Sequence, residues 1–211
     1  MPPNQKILTI DLLRHGEPEG GDVLRGRIDH VLTENGWGQM HNAVACGDLA
    51  GVSEGGWTHI ISSPLKRCRV FAEQLAAERN IELQVNNCWQ EIDYGDWDGM
   101  ALADWREQSA DMFREFRKDM SKLAPPNGED FLSFKNRIQL AWQQLAELPD
   151  GSHVLLVTHG GVLRVILPTV LGMPLNRSFP LHIPFASYSR ISLDIGPTHS
   201  SASLIFHNAA H

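Results

Sequence analysis

Leu12-Leu13-Arg14-His15-Gly16-Glu17 closes an apolar run that begins at Ile7. A strand over Ile7–Leu13 that stops in an arginine, a histidine and a glycine places a cation and an imidazole at its carboxyl end. In α/β proteins that end of a strand is where ligands bind. A second junction of the same kind lies far downstream, Val154-Leu155-Leu156-Val157-Thr158-His159-Gly160-Gly161. Two His-Gly junctions, each closing a strand of buried type, predict two imidazoles meeting at one end of one sheet.

The chain has 211 residues and 42% hydrophobic content, enough to bury a sizeable core, and residues 1–211 are expected to form a single domain. Strand and helix patterns alternate along it. The expected class is therefore α/β, a three-layer sandwich with a mostly parallel sheet between helices. A formal net charge of -7 argues against a nucleic-acid partner. An anionic substrate must then be caught by a local concentration of arginines. Cys46, Cys68 and Cys88 are odd in number and show no metal-ligand spacing, which reads as reduced thiols in a cytoplasmic protein. The stretch Met1–Lys6 leads into an apolar run of strand length only, so neither a signal peptide nor a membrane partner is expected.

Further along, Gly16–Gly26 reads as a glycine-rich loop, and Thr33-Glu34-Asn35-Gly36 opens a helix to about Leu49. A short strand, His59–Ile61, runs into Ser62-Ser63-Pro64, with Ser63 as the expected N-cap and Pro64 as the first helical residue. Cys68, Phe71, Ala72, Leu75 and Ala76 mark the buried face of that helix. Leu83–Val85 reads as a third strand. From about Trp89 to Gly128 a helical insertion over the active-site end of the sheet is expected, rich in aromatic residues. A helix carrying Phe131, Phe134, Ile138, Ala141, Trp142 and Leu145 follows. Then come the strand His153–Thr158, a helix over Gly161–Leu171, and strand-like pieces at Ser187–Leu193 and Ala202–Phe206.

Lys66, Arg67 and Arg69 fall in the first turns of their helix, where the dipole disfavours cations. An anion bound at that N-terminus would reverse the sign. Periodicity does not choose between Arg67 and Arg69, and spacing does not separate Glu91 from its neighbours Asp93, Asp96 and Asp98. Taken together, two arginines, two histidines and a glutamate on successive strand ends fit phosphoryl transfer through a phosphohistidine. Phosphate monoesters hydrolyse extremely slowly unaided, so charge neutralisation and positioning must be large. Arginine grips phosphate oxygens in fork geometry, a neutral imidazole can attack phosphorus, and a carboxyl group can protonate the departing alkoxide. No metal-ligand cluster is seen, so no metal and no cofactor are expected.

The joint pattern resembles the histidine phosphatase superfamily, also called phosphoglycerate mutase-like. It is carried by Leu13-Arg14-His15-Gly16-Glu17, Gly26-Arg27-Ile28-Asp29 through Leu32-Thr33-Glu34-Asn35-Gly36, Ser62-Ser63-Pro64-Leu65-Lys66-Arg67, Glu91 through Tyr94-Gly95-Asp96-Trp97, and Thr158-His159-Gly160-Gly161. Within it the chain is most similar to the α-ribazole phosphatases of cobalamin assembly, from the Leu24-Arg25-Gly26 loop and Pro126-Asn127-Gly128-Glu129 as well. The resemblance implies a phosphatase of small phosphorylated metabolites. It makes His15 the phosphorylated nucleophile, Arg14, Arg67 and His159 the phosphate pocket beside Gly160, and Glu91 the proton donor. A broad-specificity sugar-phosphate phosphatase is the enzymatic alternative, ahead of a phosphoglycerate mutase or a non-catalytic phosphate-binding module. The family's first loop often continues with a hydroxyl residue and then an asparagine; here Pro18 and Gly21 stand near those places, so Arg25 or Arg27 is left to compensate. Among the insertion's aromatics, Trp97 and Trp105 are expected to touch the leaving group, and Phe113 and Phe116 to pack.

Overall fold

The apolar run through Leu13 forms the central strand of a six-stranded sheet. The computed structural model describes residues 5–49 and 56–208, so the reading of the first four residues lies outside them. Strands β1 (Lys6–Arg14), β2 (His59–Ser62), β3 (Leu83–Val85), β4 (His153–Thr158), β5 (Tyr188–Ile195) and β6 (Ser200–His207) lie in the order β3-β2-β4-β1-β5-β6. The half β3-β2-β4-β1 is parallel, whereas β5 and β6 pair antiparallel. The expected α/β layering holds, with a mixed sheet.

Every residue of β4 is buried, as a strand covered on both faces requires. Its side chains divide by parity. Val154 and Leu156 join Leu8, Ile10 and Leu12 of β1 under α5 (Phe131–Gln144) and α6 (Gly160–Val170). Leu155 and Val157 join Leu13 under α1 (Glu34–Leu49) and α2 (Lys66–Arg79). The helices that follow the adjacent strands β1 and β4 therefore cover opposite faces. Their connections part at the carboxyl ends of those two strands and open a crevice there.

Register decides what meets in it. Arg14 is paired with Thr158 and Ser62 with Val157, so His15, His159 and Ser63 follow their strands out side by side. In the predicted insertion, α3 (Leu102–Gln108) and α4 (Ala110–Lys118) stand between short 3-10 turns. Among the described residues, no helix is long and apolar enough to cross a membrane.

Candidate active site

His15 is buried, and its Nδ1 lies 2.8 Å from the carbonyl oxygen of Gly16. A carbonyl only accepts, so Nδ1 carries the proton and Nε2 keeps its lone pair. The His159 ring meets His15 edge-on, with centroids 5.3 Å apart. His159 Nε2 is 2.7 Å from Ser63 Oγ, and Cys68 Sγ lies 3.6 Å from the same nitrogen. Ser63 therefore holds an imidazole in place. The expected N-cap role is corrected: α2 starts at Lys66, with Leu65 at the cap position.

Arg14 is held by Nη1 donating to Ile183 O at 2.6 Å, and its guanidinium lies 4.4 Å above the Phe185 ring. Gly160 borders it, since a Cβ there would stand 3.2 Å from Arg14 Nε. Arg67 is fully buried and donates Nη1 to Ile28 O at 2.8 Å and Nη2 to Gly26 O at 2.7 Å. The Nε of each arginine is buried with no hydrogen-bond partner. An unmade buried donor costs about 1–3 kcal/mol, more when charged. An oxyanion with several acceptor lone pairs would recover that cost at both.

Arg69 instead pairs with Glu73 at 2.7 Å on the exposed side, which settles the choice left open between the two arginines. The anion inferred for the N-terminus of α2 belongs to the chain itself: Lys66 N–H donates to Asp29 Oδ1 at 2.6 Å. Gly16 serves the packing of its loop. A Cβ on it would come within 2.1 Å of Gly36 O, so it lets the start of α1 close on the loop that carries His15.

Burial, then the nearby Arg67 and Arg14 charges, hold the His15 pKa well below its usual value. For His159 the causes are burial, then Arg67, His15 and Arg14. Burial likewise brings Arg14 down to about 10, although the Glu91 charge opposes the fall. Positive charge is crowded and desolvated here. A dianion would remove that repulsion and strengthen each hydrogen bond it accepted.

Glu91 reaches the same place from the loop after β3. Its carboxylate accepts from Gly161 N–H at 2.9 Å, at the first turn of α6, and from its own neighbour Ile92 N–H at 3.0 Å. A Cβ at Gly161 would stand 2.1 Å from Glu91 Oε1, so any side chain there would displace the carboxylate from this position. Two groups fix this loop: Thr158 Oγ1 donates to Trp89 O, and Arg137 Nη1 donates to Cys88 O and Gln90 O. Asp93 and Asp98 are occupied elsewhere. Asp93 accepts from Gly95 N–H, and Asp98 accepts from the backbone N–H groups of Gly26, Arg27 and Ile28 at 2.6–2.7 Å. Asp98 thereby holds the very loop whose carbonyls hold Arg67. The spacing of the sequence carried no signal for this, because the contact joins residues about seventy positions apart.

Arg25 straps its own loop, with Nη2 donating to Glu19 O and Gly21 O and Nε to His30 Nδ1. Arg27 is partly exposed, 3.9 Å from Glu129, and its Nε is buried without a partner. Of the two it is the one whose unpaired Nε is buried. Trp97 is half-buried and sits edge-on to Trp105 at 6.1 Å. It is not in the wall of the adjacent apolar cavity, whereas Trp105, Phe113 and Phe116 are. Phe116 is also part of the hydrophobic core and Phe113 packs against it.

Comparison with known proteins agrees with this geometry. The sequence model of the histidine phosphatase superfamily (branch 1) matches residues 10–202. A bifunctional protein of Mycobacterium tuberculosis is 31% identical over 84% of the chain; the chain spans about half the length of that relative (48%). A probable phosphoglycerate mutase of Proteus mirabilis is 32% identical, covering 90% of this chain and 87% of the relative. The adenosylcobalamin/alpha-ribazole phosphatase of Escherichia coli is 26% identical over 89% of this chain and 91% of its own. Among solved structures, a mycobacterial glucosyl-3-phosphoglycerate phosphatase in complex with VO3 superposes with a TM-score of 0.78 at 26% identity, covering 95% and 98% of the two chains. The two His-Gly strand ends, the paired arginines and the match across nearly the whole chain lead to one conclusion: this chain belongs to branch 1 of the histidine phosphatase superfamily.

Proposed function

We propose that this chain is a phosphomonoesterase working through a phosphohistidine at His15, and that its substrate is α-ribazole 5'-phosphate. The observation that carries the chemistry is the His15 tautomer, whose Nε2 lone pair is left free among Arg14, Arg67 and His159. Nε2 attacks phosphorus as the bond to the leaving oxygen breaks, and a protonated Glu91 carboxyl delivers its proton to that oxygen. The Glu91 carboxylate then takes a proton from water, whose oxygen attacks phosphorus. The P–N bond breaks, inorganic phosphate leaves and neutral His15 returns. Arg14, Arg67 and His159 hold the transferring group throughout.

The choice of substrate is supported by the E. coli α-ribazole phosphatase, similar over nine-tenths of its own length. The Proteus relative favours a second reading, a mutase, in which an acceptor hydroxyl replaces water. A screen of phosphorylated metabolites that measures both released phosphate and transferred phosphate separates the two. α-Ribazole 5'-phosphate is expected to be cleaved with a much higher kcat/KM than ribose 5-phosphate, without added metal and in the presence of EDTA. Equal efficiencies would remove the cobamide assignment, and loss of turnover in EDTA with return on Mg²⁺ would remove the metal-free chemistry.

A further inference from the structure

Arg137 projects from the middle of α5 toward the loop that carries Glu91, and its guanidinium is fully engaged by the chain. Nη1 donates to Cys88 O at 2.8 Å and Gln90 O at 3.1 Å, and Nη2 reaches Glu91 O at 3.5 Å. The other edge of the fork meets Glu129, with Nε donating to Oε1 at 2.9 Å and Nη2 to Oε2 at 2.7 Å. A planar group with donors along two edges can join a carboxylate to a row of carbonyls; an ammonium cannot. Arg14 and Arg67 each keep a buried Nε without a partner, whereas Arg137 has nothing left to offer a ligand. It holds the chain instead.

Glu129 grips the same loop further on, its N–H donating to Asp93 O at 2.9 Å. Carbonyls on both sides of Glu91 are thus fixed by one pair. A general acid has to stand within hydrogen-bond reach of the oxygen it protonates, and a displacement of about 1 Å costs on the order of a hundredfold.

Charge matters as well, because fixed cations favour the ionised carboxylate, the form that cannot donate. The cations facing Glu91 are Arg14 on β1, Arg67 on α2, Arg164 on α6 and Arg27 in the loop after β1. Burial pushes the nearby Cys68 thiol and Tyr94 phenol up, so both stay neutral. A phosphate dianion answers Arg14 and Arg67, and Arg164 is turned to Ser178 O and Leu181 O. Arg27, 3.9 Å from Glu129 Oε2, and Arg137 are answered by Glu129.

We propose that Glu129 and Arg137 are the positioning pair of the proton donor: Arg137 sets where the Glu91 carboxyl stands, and Glu129 holds Arg137 while cancelling two cations that would keep that carboxyl ionised. The pair's role rests on the reading of Glu91 as the acid. The test compares kcat/KM of the whole chain on p-nitrophenyl phosphate, whose leaving group departs without a proton, and on ethyl phosphate, whose leaving group needs one. Glu91→Gln is the reference, expected to lose about 10²–10⁴-fold on ethyl phosphate and much less on p-nitrophenyl phosphate. Arg137→Lys keeps the charge without the fork and should lose about a hundredfold on ethyl phosphate, again much less on the other ester. Glu129→Gln should show the same selectivity, with the alkaline limb of its ethyl phosphate profile moved to lower pH. Calorimetry with inorganic phosphate should give Kd values close to wild type for both variants, since the phosphate pocket is untouched. If Glu91→Gln is selective but the two variants lose equally on both esters, or lose nothing, the pair has no positioning role. An alkaline limb that stays in place removes the charge role of Glu129. If Glu91→Gln itself loses equally on both esters, the acid reading fails and the pair's role falls with it.

Discussion

Strand β1 carries two charges three residues apart, a buried Asp11 and a half-buried Arg14, and they are treated in opposite ways. Asp11 projects toward α1 and α2 and is enclosed. Its oxygens accept from Arg190 Nε and Nη2, His153 Nε2, Trp57 Nε1 and Tyr188 Oη. Burial alone would raise its pKa, but the hydrogen bonds from His153, Arg190 and Tyr188 outweigh that and bring it down to about 2. Arg14, at the strand's end, sits with Arg67 and two neutral histidines, and each guanidinium retains a buried donor with no protein partner. The fold itself supplies five donors to the Asp11 carboxylate, with His153 Nδ1 left unpaired at the edge of the cluster. The arginine donors have been left to be completed by an anion, which is how a site differs from a structural ion pair.

The sharpest way to break this contrast is to remove one member of each cluster. His15→Ala should lower kcat on the order of 10⁴–10⁶-fold, the scale for loss of a nucleophile, with the melting temperature nearly unchanged. Near-normal turnover would end the nucleophile assignment. Asp11→Ala should do the opposite, leaving Arg190 buried without its carboxylate and costing about 3–5 kcal/mol of stability. Urea denaturation checks this, and a loss under about 1 kcal/mol would mean the cluster is not the structural one.

Ligand and pH sharpen the comparison further. Inorganic phosphate at about a hundred times its Kd should add about 2.7 kcal/mol to the wild type. Arg67→Met should abolish most of that gain; a thermal-shift titration that looks the same in both proteins would count against the phosphate pocket. The acid response should divide in two. His15 and His159, with lowered pKa values, contribute stability that is present above pH 6.5 and is lost as pH falls below it. Asp11 contributes about 2 kcal/mol, present above its ordinary value of 3.8 and lost as pH falls toward 2. Phosphate should flatten the first slope, because it favours the protonated imidazoles, and leave the second untouched. A single transition near pH 4, insensitive to phosphate, would contradict this division.

The smallest effect is expected at Asp98, which grips the loop 26–28 that holds Arg67. Asp98→Asn should raise KM about tenfold, the scale of one charge-assisted hydrogen bond of about 1.5 kcal/mol, and change kcat much less. A fall in kcat with KM unchanged would place Asp98 in the chemistry rather than in positioning.

The sequence by itself determined the strands and the strand-end histidines. A run of strand length between turn residues, as at His153–Thr158, has little else to become, and a His-Gly after it falls at the strand's end wherever the strand lies. Arg14 and His15 were legible for the same reason. The acid in Ile10-Asp11-Leu12 was a signal of another kind, a charge inside a buried strand, whose partners lie up to 179 positions away. Tertiary structure alone decided which groups complete one another. Strand order put β4 beside β1, register set His159 beside His15, and a loop closed by Asp98 chose Arg67 over Arg69. Periodicity reports which face a residue occupies; only packing decides which buried donors are paired by the chain and which are kept for a ligand.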